Sequence, residues 1–185
     1  MTTAGTGGDG RSRAAGSSVF GVDDSLQART ARFRSLMARC ATGVVVVTTV
    51  VDGFDHAMTA NSFTSVSLDP EMVLFCVQKD SRFHEAISVA PRWTVNLLAA
   101  DQADAARWFA ERGRPLESQM QVVEHTRDED GIPALDGSLG YLSCITEAIH
   151  PGGDHSIVVG RVDRIVHGNH EAAALVFFDH RLTGL

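Results

Sequence analysis

One ten-residue stretch of the chain carries an unusual density of small polar side chains for a strand. Residues 58–67 have the sequence MTANSFTSVS, and six of these ten residues are Thr, Asn or Ser. Small hydroxyl and amide groups leave the backbone accessible and add short donors and acceptors. Such a surface suits a flat polar ligand that lies against a sheet and meets backbone amides with its heteroatoms. A solvated edge strand has the same composition, so this segment alone leaves both interpretations open.

A second candidate is the segment Pro151-Gly152-Gly153-Asp154-His155-Ser156. Its two glycines permit a tight turn with positive φ, which places Asp154 and His155 at the mouth of the following strand. A plain hairpin with exposed polar residues has the same pattern. A metal site using His150, Asp154 and His155 is a third interpretation. Since no second ligand cluster at metal-site spacing accompanies it, we predict no metal.

Nucleophilic catalysis finds little support in the sequence. There is no GxSxG motif, and Cys76 sits inside an apolar strand rather than in an electropositive turn. The chain has three cysteines, Cys40, Cys76 and Cys144, which is an odd number, and none belongs to a CxxC pair. This predicts that they are small buried apolar residues of a protein in the reducing cytoplasm. The N-terminus lacks the apolar region of a secretory signal, which also predicts a cytoplasmic protein.

The chain contains one match to the dinucleotide fingerprint GxGxxG, at Gly5–Gly10. That motif has meaning only between a strand and a helix, where the helix N-terminus meets the pyrophosphate. No strand pattern precedes Gly5 and no apolar helix follows Gly10. We therefore predict no Rossmann site, and assign residues 1–22, rich in Gly, Ser, Thr and Ala, to a disordered tail.

Charge and hydropathy exclude two classes of partner. The chain has 16 basic and 23 acidic residues, for a net charge of −7, and its arginines are scattered rather than clustered. Nucleic-acid binding is not expected, because phosphate neutralisation supplies most of that affinity. A membrane protein is not expected either, since no stretch approaches the ~20 apolar residues of a spanning helix. A local anion site, such as one for the phosphate of a cofactor, is still allowed.

Hydrophobic periodicity predicts one domain over residues 23–185, made mostly of strands. Asp52-Gly53 is typical of a hairpin turn. The region 113–137 is polar and predicted to be a loop, with a solvated acidic run at Asp128–Asp130. Predicted helices cover 26–40, 81–89 and 101–112, and Gly43 is the predicted C-terminal cap of the first. Predicted strands cover 44–51, 72–77, 93–98, 141–149, 156–166 and 174–178. Many strands with hairpin-sized gaps favour an antiparallel barrel.

Several motifs, in a fixed order, resemble one known family. They are TGVVVVTT at 42–49, TANSFTSVSLDP at 59–70, VNLL at 95–98 with Gln102 and Phe109, GIP at 131–133, Cys144, and GDH at 153–155. From about Phe33 to the C-terminus the chain resembles the short-chain flavin reductases, the reductase components of two-component flavin-dependent monooxygenases. It departs from the family pattern at Glu71, where a second proline is common, and at Trp93, where a smaller aromatic residue is usual.

The resemblance implies a mainly β fold with flanking helices: a split β-barrel, Greek-key-like, of the FMN-binding type, usually a homodimer. It implies that Thr59, Ala60, Asn61 and Ser62 face the isoalloxazine ring and ribityl chain of FAD or FMN. The backbone of Cys76 and Val77 would contact the ring, and Ser81, Arg82 and Phe83 would lie near the phosphate. Arg82 is the only cation that we expect there. Gly153 and Asp154 would form the turn that brings His155 near the nicotinamide and the flavin.

The implied activity is NAD(P)H-dependent reduction of free flavin, with NADH or NADPH as hydride donor. The reduced flavin would diffuse to a partner monooxygenase. Hydride transfer between two cofactors needs no protein nucleophile, which agrees with the lack of a nucleophile motif in the sequence. The alternative is a flavin-binding electron carrier or sensor of the same fold that does not turn over a nicotinamide nucleotide.

Overall fold

The computed structural model describes residues 25–185. The predicted tail and the glycine pattern at Gly5–Gly10 lie outside the described residues. Helices α1, α2 and α3 span Leu26–Met37, Arg82–Val89 and Ala103–Ala110, and a 3-10 turn at Ala100–Gln102 precedes α3. Strands β1 to β12 span, in order, Thr42–Gly43, Val45–Val51, Phe54–Ala60, Thr64–Leu68, Glu71–Gln78, Arg92–Leu97, His125–Arg127, Pro133–Leu135, Gly140–Gly152, His155–His167, Leu175–Phe178 and Arg181–Gly184.

Seven of these strands form one antiparallel sheet in the order β3-β2-β6-β9-β10-β5-β4. Strands β3 and β4 lie at opposite edges of the sheet, yet only residues 61–63 link them along the chain. A link of this length spans at most about 14 Å. The sheet must therefore curl until its two edges lie close together. The prediction of a mainly β, split-barrel fold with flanking helices is confirmed.

The valine run of β2 is buried on both faces of the sheet. Val45 and Val47 pack in the barrel interior with Phe75 and Trp93, whose rings meet edge-to-face at 5.0 Å between centroids. Val46 packs on the other face, in the cluster that includes residues of α3. A continuous apolar run is what a strand covered on both faces requires.

Helix α1 differs from its prediction in length and in burial. It starts at Leu26, as predicted, after Ser25, whose Oγ accepts from Ala28 N at 3.2 Å. It ends at Met37, however, with Ala38 rather than Gly43 at its C-terminal cap. None of its residues is buried, and Leu36 is 72% exposed. The predicted burial of Cys40 is also wrong: after the buried Ala38, residues 39–41 are exposed. The helical spacing of apolar residues predicted the helix but not the exposure of its apolar side chains.

The prediction of a polar loop over residues 113–137 is only partly right: residues 113–124 consist of turns and irregular backbone, but two short strands follow. The region contains β7 and β8, which pair with each other, and it contributes Gln119 and Met120 to the interior. Asp128, expected in a solvated acidic run, is buried and accepts hydrogen bonds from the hydroxyls of Thr94 and Ser143 at 2.7 and 3.0 Å. Strands of three residues are too short to show a period, so the sequence pattern hid them.

No helix between residues 25 and 185 is long and apolar enough to cross a membrane.

Candidate functional site

A cavity of about 520 Å³ opens between β3, the 61–63 link, the end of β5, the start of α2 and the chain that follows α3. Most of the predicted site residues line it. They are Thr59, Ala60, Asn61, Ser62, Cys76, Ser81, Arg82, Phe83 and His155. Val77, Gly153 and Asp154 lie outside its lining. Residues from three separated motifs thus converge on one space, because the curl of the sheet brings the 61–63 link against β5.

The polar segment after β3 divides its side chains between scaffold and cavity. Ser62 Oγ accepts from Cys76 N at 3.0 Å and also contacts Cys76 O at 3.4 Å, and Thr59 Oγ1 donates to Ala106 O at 2.7 Å. These hydroxyls attach the segment to β5 and to α3. Within residues 25–185, the Asn61 side chain has no hydrogen-bond partner and lies exposed at the cavity. Its amide is therefore available to a ligand.

Strand β5 alternates between the core and the cavity. Phe75 and Val77 are fully buried in the barrel interior, whereas Cys76 is half-buried and lines the cavity. Val77 is paired with Ser156 of β10. Alternate residues of a strand point to opposite faces, so neighbouring positions cannot both present side chains to a ligand. This is why Val77 lies away from the space that Cys76 lines.

The start of α2 forms one wall of the cavity. Ser81 is the N-cap residue: its Oγ accepts from His84 N at 3.1 Å and donates to Gln78 O at 2.6 Å. The backbone N–H groups in the first turn of a helix have no partner inside it, and the helix dipole makes that end positive. The predicted phosphate position, near Ser81 and Arg82, therefore has a favourable electrostatic setting.

Two further arginines line the cavity beside Arg82, and the sequence analysis missed both. Arg112 is paired with Asp80 at 3.1 Å across the cavity mouth. Arg114 is buried, lies 5.6 Å above the Phe109 ring and donates to Ala57 O at 2.8 Å. Arg82 in turn donates to Arg114 O at 2.8 Å. The expectation that Arg82 is the only cation available for a phosphate is wrong.

Positive charge from Arg82 acts on two other groups that line the cavity, His56 and Arg114. Burial lowers the pKa of His56, and the charge of Arg82 lowers it further. Burial also lowers the pKa of Arg114, again with a contribution from Arg82. The Nε atom of Arg114 is buried and has no hydrogen-bond partner among the described residues. An anionic group in the cavity would relieve this crowding of positive charge.

Four residues that line the cavity carry no motif in the sequence: His56, Arg112, Arg114 and Gln119. Only the tertiary structure brings them together. Helix α3 ends at Ala110, two residues before the predicted end, and the chain turns back along β3. There Gln119 Nε2 donates to Asp55 O at 2.7 Å, as Arg114 does to Ala57 O. The segment 111–119 thus caps the free carbonyls of an edge strand. The only available signal was Gly113 between two arginines.

His155 reaches the cavity from the β9–β10 turn, where Gly153 has a φ of 70°. The Nδ1 atom of His155 lies 2.8 Å from Asp154 Oδ1. A carboxylate only accepts, so Nδ1 carries the proton of this hydrogen bond. That bond, and the charge of His155, lower the pKa of Asp154. Gly153 and Asp154 therefore shape the turn and orient the ring, while His155 faces the cavity.

Among residues 25–185, no group of three or more His, Cys, Asp or Glu side chains comes together in a way that could hold a metal ion.

Comparison with known proteins gives a consistent result. Residues 37–185 match the family model described as "Flavin reductase like domain". The chain is 41% identical over 134 residues to an NADH-dependent FAD reductase of Streptomyces globisporus, covering 71% of this chain and 72% of that protein. It is 34% identical over 154 residues to HsaB, the reductase subunit of a flavin-dependent monooxygenase of Rhodococcus jostii, covering 83% and 77%.

Solved structures give the same picture. An NADH:FAD oxidoreductase of Streptomyces globisporus, SgcE6, in complex with NAD and FAD fragments, superposes with a TM-score of 0.79 at 34% identity, covering 84% of this chain and 92% of that one. BorF, the flavin reductase component of a bacterial two-component tryptophan halogenase, superposes with a TM-score of 0.79 at 38% identity, covering 84% and 98%.

Proposed function

The chain belongs to the flavin reductase like domain family, and from this premise we propose that it reduces free FAD or FMN with NADH or NADPH. A hydride passes from the nicotinamide to the flavin and one proton comes from solvent, so NAD(P)H, H⁺ and oxidised flavin give NAD(P)⁺ and reduced flavin. The observation that carries the proposal is the single cavity that joins the 59–62 segment, Cys76, the start of α2 and His155.

The cavity fits a flavin nucleotide in size and in charge. Its volume of about 520 Å³ lies within the range of small-molecule sites, ~300–1,000 Å³. Three arginines, Arg82, Arg112 and Arg114, line it, and Arg114 Nε is a buried donor without a partner among the described residues. A nucleotide brings both a flat polar ring system and phosphate oxygens. The chain offers a strand-edge surface for the first and arginines for the second.

In the proposed arrangement the ring and ribityl chain lie against Thr59–Ser62 and the backbone of Cys76. The phosphate lies at the start of α2, near Ser81, Arg82 and Phe83. The exposed amide of Asn61 and the positive helix end support this orientation. The chain's own contribution is to hold the ring with one face accessible, so that the nicotinamide can stack on it at a distance suited to hydride transfer.

His155 is the residue that we assign to the nicotinamide side of the site. Its ring lines the same cavity as the 59–62 segment, and Asp154 fixes its Nδ1 proton. The remaining ring nitrogen is therefore an acceptor when the imidazole is neutral. Its proposed role is to position the nicotinamide over the flavin, with Gly153 and Asp154 acting through the turn.

The reduced flavin serves a partner monooxygenase in this proposal. Support comes from the relatives: HsaB is named the reductase subunit of a flavin-dependent monooxygenase, and BorF the reductase component of a halogenase system. Free thiols at all three cysteines agree with a cytoplasmic enzyme, where NADH is available. Residues 23–185 constitute its single domain.

We also assign the exposed face of α1 to a second copy of this chain, giving a homodimer. Helix α1 has twelve residues and none of them is buried. Its apolar side chains are therefore exposed, with Leu26 at 80% and Phe33 at 64%. So short a helix is marginal without tertiary packing. It carries three arginines and no acidic residue, in a chain of net charge −7. The negative net charge of a second copy complements the arginines of α1, and apolar residues of that copy would cover Leu26 and Phe33.

The experiment is NADH oxidation by the purified chain, followed at the NADH absorbance band, with FAD and FMN tested side by side. The proposal expects oxidation that saturates with flavin concentration and stops when flavin is omitted. In air the freed reduced flavin reacts with oxygen, so hydrogen peroxide accumulates. Flavin binding without nicotinamide turnover would contradict the proposal and would indicate an electron carrier or sensor instead.

A further inference from the structure

Lys79 is the only lysine in the chain, and it lies between β5 and α2, both of which contribute residues to the cavity lining. It follows the last residue of β5, Gln78, and precedes the N-cap residue of α2, Ser81. Gln78 is paired in register with His155 of β10. Lys79 therefore stands beside the turn that carries His155, although 76 positions separate the two residues along the chain.

Two hydrogen bonds join Lys79 to that turn. Its backbone N donates to Asp154 O at 3.0 Å, and its Nζ donates to Gly153 O at 2.7 Å. The first bond depends only on the backbone and survives most substitutions. The second depends on an ammonium group, which makes a stronger bond to a carbonyl than a neutral donor does. Consecutive carbonyls of the turn are thus held from one side.

Strand pairing of His155 with Gly152 and Gln78 holds the end of the turn, but among the described residues Lys79 Nζ makes the one side-chain hydrogen bond to Gly153 or Asp154 from outside the turn. Gly153 has a positive φ and is exposed, and Asp154 and His155 make their side-chain bond to each other rather than to the barrel. A rotation of the 153–154 peptide would move the Asp154 carboxylate, and with it the His155 ring that it orients. A bond of Lys79 Nζ to Gly153 O resists this rotation directly.

We infer that Lys79 is a positioning residue, whose ammonium group holds the Gly153–Asp154 peptide so that His155 presents its ring to the nicotinamide. The inference rests on the proposed function of His155. Lys79 itself does not line the cavity. Its removal is therefore expected to change the interaction with the nicotinamide nucleotide and to leave flavin binding unchanged.

The test compares Lys79→Met, which removes the ammonium group, with Lys79→Arg, which keeps a cationic donor. We expect Lys79→Met to raise KM for NADH about three- to tenfold, the range that one lost hydrogen bond produces. The flavin dissociation constant should stay within about twofold, and Lys79→Arg should restore most of the loss. Arg107→Met is the matched control, since Arg107 is exposed and paired with Asp104 away from the cavity.

A double variant and a spectroscopic readout separate this inference from the proposed function. Adding Lys79→Met to His155→Ala should give no further rise in KM, because both act through one ring. Independently of activity, the NMR signals of the Gly153 amide and the His155 ring should shift in Lys79→Met and return in Lys79→Arg. Shifted signals with unchanged kinetics in His155→Ala would retain the positioning of the turn but reject the role of His155.

Three results would overturn the inference itself. The first is a Lys79→Met protein whose His155 ring signals and KM for NADH both match the unmodified protein. The second is an equal loss of flavin and NADH affinity. The third is an equal effect of Arg107→Met, which would indicate a general effect of net charge.

Discussion

Ser62 Oγ lies 3.0 Å from the backbone nitrogen of Cys76 and 3.4 Å from its carbonyl oxygen, so one hydroxyl joins the link between the two sheet edges to β5. The link itself belongs to the proposed flavin surface. The same contact therefore attaches the proposed flavin surface to β5 and helps to fix the shape of the cavity. Fold and site depend on one side chain at this position.

Replacing Ser62 with Ala should weaken both stability and flavin binding. Each hydrogen bond contributes about 0.5–1.5 kcal/mol, and the Cys76 N–H would be left without its acceptor. We expect the free energy of unfolding in urea to fall by about 1–2 kcal/mol, with a parallel loss of flavin affinity in a fluorescence titration. Ser65→Ala on β4 is the control, because Ser65 is exposed and does not line the cavity. Equal effects of the two substitutions would contradict this account.

Asn61 and Asn96 make a matched pair for separating binding from folding. Asn61→Leu removes an exposed amide from the cavity and should cost about 1–3 kcal/mol of flavin binding with little loss of stability. Asn96 is buried, donating to Val46 O at 3.0 Å and accepting from Leu135 N at 2.8 Å. Asn96→Leu should instead lower the unfolding free energy. Unchanged flavin affinity in Asn61→Leu would remove Asn61 from the site.

The three thiols should react in an order set by their surroundings. Cys40 is exposed, whereas burial raises the pKa of Cys144 to about 12, so Cys144 should react with a thiol reagent only on unfolding. Cys76 is half-buried at the cavity and should be protected by bound flavin. The rate at which Cys76 reacts with the thiol reagent can be measured separately in a Cys40→Ser variant, with and without flavin. Cys76→Ala should keep most of its activity, and complete loss of turnover in a folded variant would assign it a role that we do not expect.

His56 gives a pH dependence with a definite sign. Because burial lowers its pKa from 6.5 in the folded chain, the unfolded chain takes up a proton first as the pH falls. The free energy of unfolding should therefore decrease as the pH drops below 6.5. His56→Gln should flatten this part of the curve, measured as the difference between the two urea-unfolding profiles. A difference that does not change between about pH 7.5 and pH 5 would refute the prediction.

The proposed dimer can be broken from one face of α1. Phe33→Glu places a charge on the exposed apolar face, whereas Ser35→Glu places it about 200° away around the same helix. Light scattering should give about twice the chain mass of 19.8 kDa for the unmodified protein and for Ser35→Glu. Phe33→Glu should give the monomer mass. A monomer in all three samples at micromolar concentration would reject the homodimer.

The sequence predicted those parts of the fold that have strong local signals. Asp52-Gly53 forms the expected turn, with φ values of 53° and 77°, and Ser81 caps the expected helix. It failed where the signal is not local. Asp128 reads as one of three solvated acids, but two hydroxyls from distant strands and the backbone N–H groups of Asp130 and Ile132 surround its carboxylate. No spacing rule anticipates donors that only tertiary structure assembles.

The cavity shows the same division. The 59–62 segment, Ser81–Phe83 and His155 carry motifs, and the structure brings them to one space. Arg112 and Arg114 carry none, and they reach the cavity because α3 stops at Ala110 and the following chain covers the edge of β3. An edge strand needs such a cover, but the sequence does not say which segment supplies it.

The most direct test of the central claim is anaerobic reduction of a large excess of free flavin by NADH, with a catalytic amount of the purified protein. Bleaching of the flavin absorbance band reports the reduced product without interference from oxygen. We predict many flavin molecules reduced per chain, with NADH consumed in a one-to-one ratio. Reduction that stops after one flavin per chain, or that is no faster than without protein, would contradict the proposal that this chain releases reduced flavin.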